Sequence, residues 1–210
     1  MSQIALFETP GQVLADDSRG RIDYLPACVP EADARSWFEQ LLAEVDWRHE
    51  RRRMYDRDVD VPRLTSHYRL PGESLPQAVA AARDVAQARA GIAFNSVGLN
   101  YYRDGRDSVA PHNDHLGELA EGAPIALLSL GSARRMTIRA KAEPRRTLQL
   151  TLEPGSLLLM SYDTQLHYDH GIPKTTQAVG ARISLAFRVR PSGWDGGRYR
   201  GGEASSRGSR

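Results

Sequence analysis

The stretch PIALLSLGSARRMTIRAKAEPRRTLQLTLEPGSLLLMS (124–161) decides the fold. It holds four short runs, PIALLSLG, RMTIRAK, RTLQLTL and SLLLMS, parted by glycine, proline or charged residues that turn the chain. Runs of that length and punctuation predict an all-β sandwich or barrel. The pattern extends outward to FNSVGLNYY (94–102) and RISLAFRVR (182–190), so a β core is expected from about Phe94 to Arg190.

Upstream the periodicity changes. PEADARSWFEQLLAEVDW (30–47) predicts a helix, with Pro30 at its start and Trp37, Leu41 and Val45 spaced to share one face. LPQAVAAARDVAQARAG (75–91) predicts a second, opened by Pro76 and closed by Gly91. Between them RHERRRMYDRDVDVPRLTSHY (48–68) mixes charges of both signs without helical spacing and reads as an exposed loop or hairpin. A short strand-like segment precedes the first helix. The tail PSGWDGGRYRGGEASSRGSR (191–210) is too poor in apolar residues to order itself. The expected class is α+β, mainly β, as a single domain over 1–190.

At 210 residues such a domain buries a real core without staples. Cys28 is the only cysteine, which excludes an internal disulfide and a four-cysteine zinc module and suits a reducing, cytoplasmic setting. The opening MSQIALFETPG lacks the features of an export signal, and no apolar run approaches membrane-spanning length, so no membrane partner is expected. The formal charge of +2 permits a nucleic-acid partner without demanding one.

PHNDHLGEL (111–119) carries the first chemistry. On an extended chain His112 and Asp114 point to one side and can offer an imidazole and a carboxylate to one ion. The spacing is common, and His167 and Asp169 repeat it. Two histidines and one carboxylate on one face of an octahedron describe a non-heme iron(II) site with open positions, and His167 and His170 are the candidates for its third member. In RISLAFR (182–188), Arg182, Ser184, Ala186 and Arg188 share one strand face while Ile183, Leu185 and Phe187 fill the other. Two guanidinium groups on a face that packing reserves for apolar residues suit a small dianion held between them.

These pieces, in this order, resemble the AlkB-like iron(II)/2-oxoglutarate dioxygenases. The resemblance rests on NYYRDGRDSVAPHND (100–114), PIALLSLGSARRMTIR (124–139), LEPGSLLLMSYDTQLHYDHGIPK (152–174) and RISLAFR (182–188), and less firmly on VPRLTSHY (61–68). It implies a double-stranded β-helix, or jelly-roll, core over about 94–190, with the N-terminal helices packed on one face. It implies iron(II) held by His112, Asp114 and His170, with His167 left out. It implies 2-oxoglutarate held by Asn100, Tyr102, Arg182, Ser184 and Arg188, with Arg182 on the distal carboxylate and molecular oxygen as the second cosubstrate. The family often has acidic residues just after the metal aspartate, where this chain has His115 and Leu116. It often has asparagine and threonine where Ser184 and Ala186 stand here.

The activity so implied is oxidative dealkylation of alkylated bases in DNA or RNA, 2-oxoglutarate decarboxylation being coupled to hydroxylation of an N-alkyl group and release of an aldehyde. The cofactors carry the hard chemistry and the chain supplies orientation and exclusion of water. Acid is expected to strip the metal by protonating its histidines. A base taken as substrate must arrive unpaired or flipped. Segment 48–75 is the expected cover over it, with Arg63, Tyr68 and His115 as substrate contacts and Arg51, Arg52 and Arg53 as candidates for phosphate. A monomer is expected. The competing readings are a hydroxylase or demethylase acting on a protein side chain or small molecule, and a non-enzymatic jelly-roll binding module.

Overall fold

In the computed structural model, which describes residues 10–54, 57–70 and 74–194, two antiparallel sheets face each other and two helices cover the outer side of the larger one. The strands are β1 (Gln12–Asp17), β2 (Gly20–Leu25), β3 (Arg48–Met54), β4 (Arg57–Arg69), β5 (Ser96–Tyr102) and β6 (Val109–His112), followed by β7 (Ile125–Gly131), β8 (Arg134–Ala140), β9 (Thr147–Leu152), β10 (Leu157–Met160), β11 (Tyr168–Ile172) and β12 (Arg182–Arg188). The helices are α1 (Glu31–Glu44), α2 (Gln77–Ala90) and the single turn α3 (Thr164–His167). The large sheet runs β1-β2-β10-β7-β12-β5-β4-β3 and the small one β6-β11-β8-β9. This is the expected jelly roll.

Two apolar layers hold it together. Outside the large sheet, Leu41 of α1, Val45 just after it, and Ala78, Val79, Ala82 and Ala86 of α2 pack on Val97, Leu128, Ile183, Leu185 and Phe187. Trp37 joins the same cluster, so the spacing of Trp37, Leu41 and Val45 has the packing role it suggested. Gly91 closes α2 in the left-handed conformation, φ 70°, which costs glycine little. Between the sheets, Ile125, Leu127, Met136, Ile138, Leu150, Leu152, Tyr168 and Ile172 form the second layer. Strand β12 lies between β7 and β5 and is covered on both faces. Its even positions, Arg182, Ser184 and Ala186, therefore face the space between the sheets.

The structure moves three boundaries. The sheet core starts well before Phe94, because β2 pairs with β10 and carries β1 with it. Strands β3 and β4 pair antiparallel, and the second is fully integrated: Leu64 to Arg69 of β4 pair with Tyr101 to Ser96 of β5. The ordered chain also runs past 190, since Pro191 accepts a hydrogen bond from the Trp194 N–H at 3.2 Å and the Trp194 ring packs 4.7 Å from the Arg190 guanidinium. The rest of the expected disordered tail, 195–210, lies outside the described residues.

Candidate active site

A cavity of about 760 Å³ is lined by strands of both sheets. His112 ends β6 and His170 sits in β11, and the two are direct partners across the ladder. Gly171 makes that pairing possible, because a Cβ there would lie 2.9 Å from the Val109 carbonyl and 3.0 Å from the Pro111 nitrogen. The two imidazole rings meet with centroids 4.5 Å apart. His112 Nδ1 lies 3.0 Å from the Ala110 carbonyl, which can only accept. The proton therefore sits on Nδ1 and leaves Nε2 free as a ligand.

Asp114 follows two residues after His112 and lines the same cavity. Its backbone N–H donates to Gln165 Oε1 at 2.9 Å, and Gln165 is itself buried in α3. Both carboxylate oxygens accept from Arg188, Nε to Oδ2 at 2.6 Å and Nη2 to Oδ1 at 3.1 Å. Burial alone would raise the Asp114 carboxyl. The charge and hydrogen bonds of Arg188, then the two histidines, outweigh burial and hold the group far below the usual carboxylate range. Burial pushes His112 down, and it pushes His170 down to about 3 with help from His112. At neutral pH the trio is thus two neutral imidazoles and one carboxylate, the ionisation state a metal requires.

That donor set fits a divalent ion of intermediate hardness such as iron(II). Among the described residues, no three His, Cys, Asp or Glu side chains form a finished coordination set, and Asp114 is bonded to Arg188. His167 stands apart, absent from the cavity wall, and its carbonyl accepts from the Lys141 backbone N–H.

Across the cavity Arg182 is 1% exposed. Nη2 donates to Ser129 Oγ at 2.8 Å, and the guanidinium lies 5.2 Å from the centre of the Tyr102 ring, but Nε and Nη1 have no partner. A buried cation left with open donors is costly, and a carboxylate entering the cavity would complete it. This observation independently fits the far end of a dicarboxylate such as 2-oxoglutarate. Ser184 and Tyr102, both buried, line the same wall. Asn100 does too, and its Oδ1 accepts from Arg63 Nε at 2.7 Å. The two arginines of β12 line the same cavity and differ in their partners: Arg182 keeps free donors, whereas Arg188 is bonded to Asp114.

At the mouth Arg63 and His115 both line the cavity. Tyr68 does not, and its assignment as a substrate contact is corrected. Arg63 and Tyr68 differ by an odd number of positions, so on a regular strand they face opposite ways, and Tyr68 packs into the apolar cluster beneath the helices. Arg51 is paired with Asp60 at 2.8 Å on the surface, the solvated alternative to a phosphate contact. The side chains of Arg52 and Arg53 lie outside the described residues.

Several supporting residues left no signal in the sequence. Lys141 donates to Asn113 Oδ1 at 2.8 Å and to the Gln165 carbonyl at 2.9 Å, pinning the segment between the two metal-side residues to α3. Arg134, 3% exposed, donates to the carbonyls of Asp104, Asp107 and Pro173, each at 2.9 Å, tying the loop after β5 to the segment after β11. Arg190 donates to the Glu118 carbonyl and carboxylate. These pairings span 24 to 72 positions in the chain, which no local pattern reveals.

The family described as the 2OG-Fe(II) oxygenase superfamily matches residues 21–188. The DNA oxidative demethylase ALKBH2 of Bos taurus is 38% identical over 113 residues, covering 50% of this chain and 41% of its own. The alpha-ketoglutarate-dependent dioxygenase alkB homolog 3 of the same species is 30% identical over 188 residues, covering 80% of this chain and 66% of its own. The match thus spans less than half the length of the ALKBH2 relative. The solved structure of OsALKBH1 superposes with a TM-score of 0.60 over 86% of this chain and 100% of its own, at 13% identity, a likeness of fold alone.

Proposed function

The chain belongs to the 2OG-Fe(II) oxygenase superfamily, among its AlkB-like members, and from that premise we propose that it removes alkyl groups oxidatively from bases of DNA or RNA, with His112, Asp114 and His170 as the iron ligands. Iron(II), 2-oxoglutarate and oxygen, when bound, supply the oxidising chemistry: decarboxylation to succinate and carbon dioxide is coupled to hydroxylation of the alkyl carbon, and the hydroxylated base falls apart to an aldehyde and the bare nitrogen. The observation that carries this reading is Arg182, a buried cation with two unpartnered nitrogens on the wall of the cavity that also holds the paired imidazoles.

The chain's own part is placement. Arg182 grips the distal carboxylate of 2-oxoglutarate, with Ser129 and Tyr102 holding the guanidinium in position. Ser184 and Asn100 line the same cavity and would face the cosubstrate. Arg188 keeps Asp114 ionised and oriented, and the Ala110 carbonyl fixes the tautomer of His112. The buried walls exclude water from the reacting carbon. Arg63 and His115 at the mouth offer a planar cation and an imidazole to a base that enters unpaired or flipped. The relatives named as DNA oxidative demethylases favour DNA as the first substrate to try.

The test is a panel of methylated and etheno-modified oligonucleotides, single and double stranded, in DNA and RNA. Protein, iron(II), 2-oxoglutarate and oxygen are added, and succinate and loss of alkyl mass are measured. Both are expected, and both are expected to vanish in His112→Ala. Succinate formation stimulated by a peptide or metabolite pool and by no oligonucleotide overturns the choice of substrate. Activity unchanged in His112→Ala overturns the iron site.

A further inference from the structure

The chain leaves β12 by a turn that brings it back over the large sheet. The Pro191 carbonyl accepts from the Trp194 N–H at 3.2 Å, and Gly193 sits at φ 83°, a left-handed conformation that glycine adopts freely in such turns. Asn95, just before β5, holds the start of this segment, accepting from the Arg190 N–H at 2.7 Å and donating to the Arg190 carbonyl at 2.9 Å. The indole of Trp194 is thereby set on three side chains. The Arg190 guanidinium lies 4.7 Å and that of Arg69 5.7 Å from the ring centre, and the His67 imidazole meets the indole edge-on, 5.4 Å between centroids at 61°.

Two of these three side chains, His67 and Arg190, line the cavity. They reach it from different parts of the chain. His67 shares the face of β4 that carries Arg63 and Thr65, by alternation along the strand. Arg190 follows β12, and its Nη1 donates to the Glu118 carbonyl at 2.9 Å and to the Glu118 carboxylate at 3.1 Å. The Ala120 N–H adds a bond to the Val189 carbonyl at 2.8 Å. Glu118 ends the single turn Leu116–Glu118 that comes directly after Asp114 and His115. A chain of contacts thus runs from β4 through the indole to Arg190, and on to the segment that carries His115. Arg190 gains most from the ring, because its Nε is buried without a hydrogen-bond partner and a desolvated cation is drawn strongly to an aromatic face.

We propose that Trp194 is a positioning residue for the substrate: the indole locks Arg190 and His67 together, and with them the Leu116–Glu118 turn and β4, fixing the shape of the mouth that receives the base. This rests on the dealkylation reading above and adds to it a residue behind the cavity wall that governs how substrate is received. The ring contacts of Trp194 are with His67, Arg69 and Arg190. Iron and 2-oxoglutarate are assigned to other residues, so the effect of the indole belongs to substrate binding and not to the oxidising step.

The experiment is steady-state dealkylation by the full chain loaded with iron(II), varying the oligonucleotide at saturating 2-oxoglutarate and then the reverse. Trp194→Ala is expected to raise the KM for the oligonucleotide about tenfold, the scale of one partly desolvated cation–π contact, while kcat and the KM for 2-oxoglutarate stay near native. Trp194→Phe keeps an aromatic face for Arg190 and is expected to recover most of the loss. Arg190→Met is expected to raise the same KM, and the double variant Trp194→Ala, Arg190→Met to be no worse than the worse single one, since both act through one contact. Should Trp194→Ala lose its fold by circular dichroism, Gly193→Val carries the test. A Cβ there meets open space, so only the turn is disturbed, and the KM is expected to rise about threefold. An unchanged oligonucleotide KM in a folded variant overturns the proposal. So do additive effects of Trp194→Ala and Arg190→Met, and so does a fall in kcat with a raised KM for 2-oxoglutarate and no recovery in Trp194→Phe, the pattern of a ring that only supports the fold. If native protein turns over a peptide or metabolite and no oligonucleotide, base dealkylation fails, while the same KM shift on that substrate leaves the positioning role standing.

Discussion

Replacing Arg182 with methionine separates a ligand clamp from a structural cation, because the two roles predict opposite signs. The side chain is buried, spends one hydrogen bond on Ser129, and leaves Nε and Nη1 open. In the protein without 2-oxoglutarate, Arg182→Met removes an incompletely satisfied buried charge and leaves Ser129 with one lost partner. The first change favours the variant by about 1–4 kcal/mol and the second costs about 1 kcal/mol, so stability is expected to hold or rise. With 2-oxoglutarate, the variant forfeits two charge-assisted hydrogen bonds of about 1.5–2 kcal/mol each, roughly a hundredfold to a thousandfold in affinity. The assay is thermal melting with and without 2-oxoglutarate, backed by calorimetric titration. Native protein is expected to gain several degrees on adding the cosubstrate and Arg182→Met to gain none, from an equal or higher starting midpoint. A variant that starts well below native yet binds 2-oxoglutarate as tightly would refute the reasoning, since Arg182 would then be holding the sheet together and not the cosubstrate.

Gly171→Ala places a methyl group against the backbone of β6 at Val109 and Pro111, so β6 must move off β11 and carry His112 away from His170; metal affinity is expected to fall at least tenfold, read by titration with cobalt(II). Gln165→Leu removes the acceptor for the Asp114 N–H, and a loss of about tenfold in metal affinity with an unchanged fold is expected. Tyr68→Ser is expected to lower the melting temperature while leaving the KM for an oligonucleotide unchanged, because the ring packs under the helices; a raised KM at constant stability would restore it as a substrate contact. Burial holds His170 near 3 against an ordinary 6.5, so between those values the unfolded chain takes up a proton that the folded chain refuses. The contribution is fully present above about 6.5 and is lost as pH falls toward 3, at up to about 1.4 kcal/mol per pH unit. Denaturant titration of metal-free protein from pH 7 to 5 should show the decline and His170→Asn should flatten it.

What the sequence revealed, and what it hid, follows from how far each signal reaches along the chain. The strands of 124–161 and both helices were legible because their information is local: a period, a cap, a turn residue. Pro76 and Gly91 marked the ends of α2 to the residue. The even face of β12 was legible for the same reason, since alternation alone put Arg182 and Ser184 opposite Ile183 and Leu185. What each arginine on that face does was not legible, because their partners come from elsewhere. Asp114 is 74 positions from Arg188 and Ser129 is 53 from Arg182, and only the stacking of two sheets sets one guanidinium against a carboxylate and leaves the other open. Tyr68 failed for a local reason that a stricter count would have caught: an odd offset from Arg63 on one strand sends the two side chains to opposite faces. Periodicity thus fixes which residues can reach the cavity, while the distant pairings decide which of them arrive with donors to spare. The function hangs on the second question, and Arg182, packed in the interior with two nitrogens unanswered, is where this chain answers it.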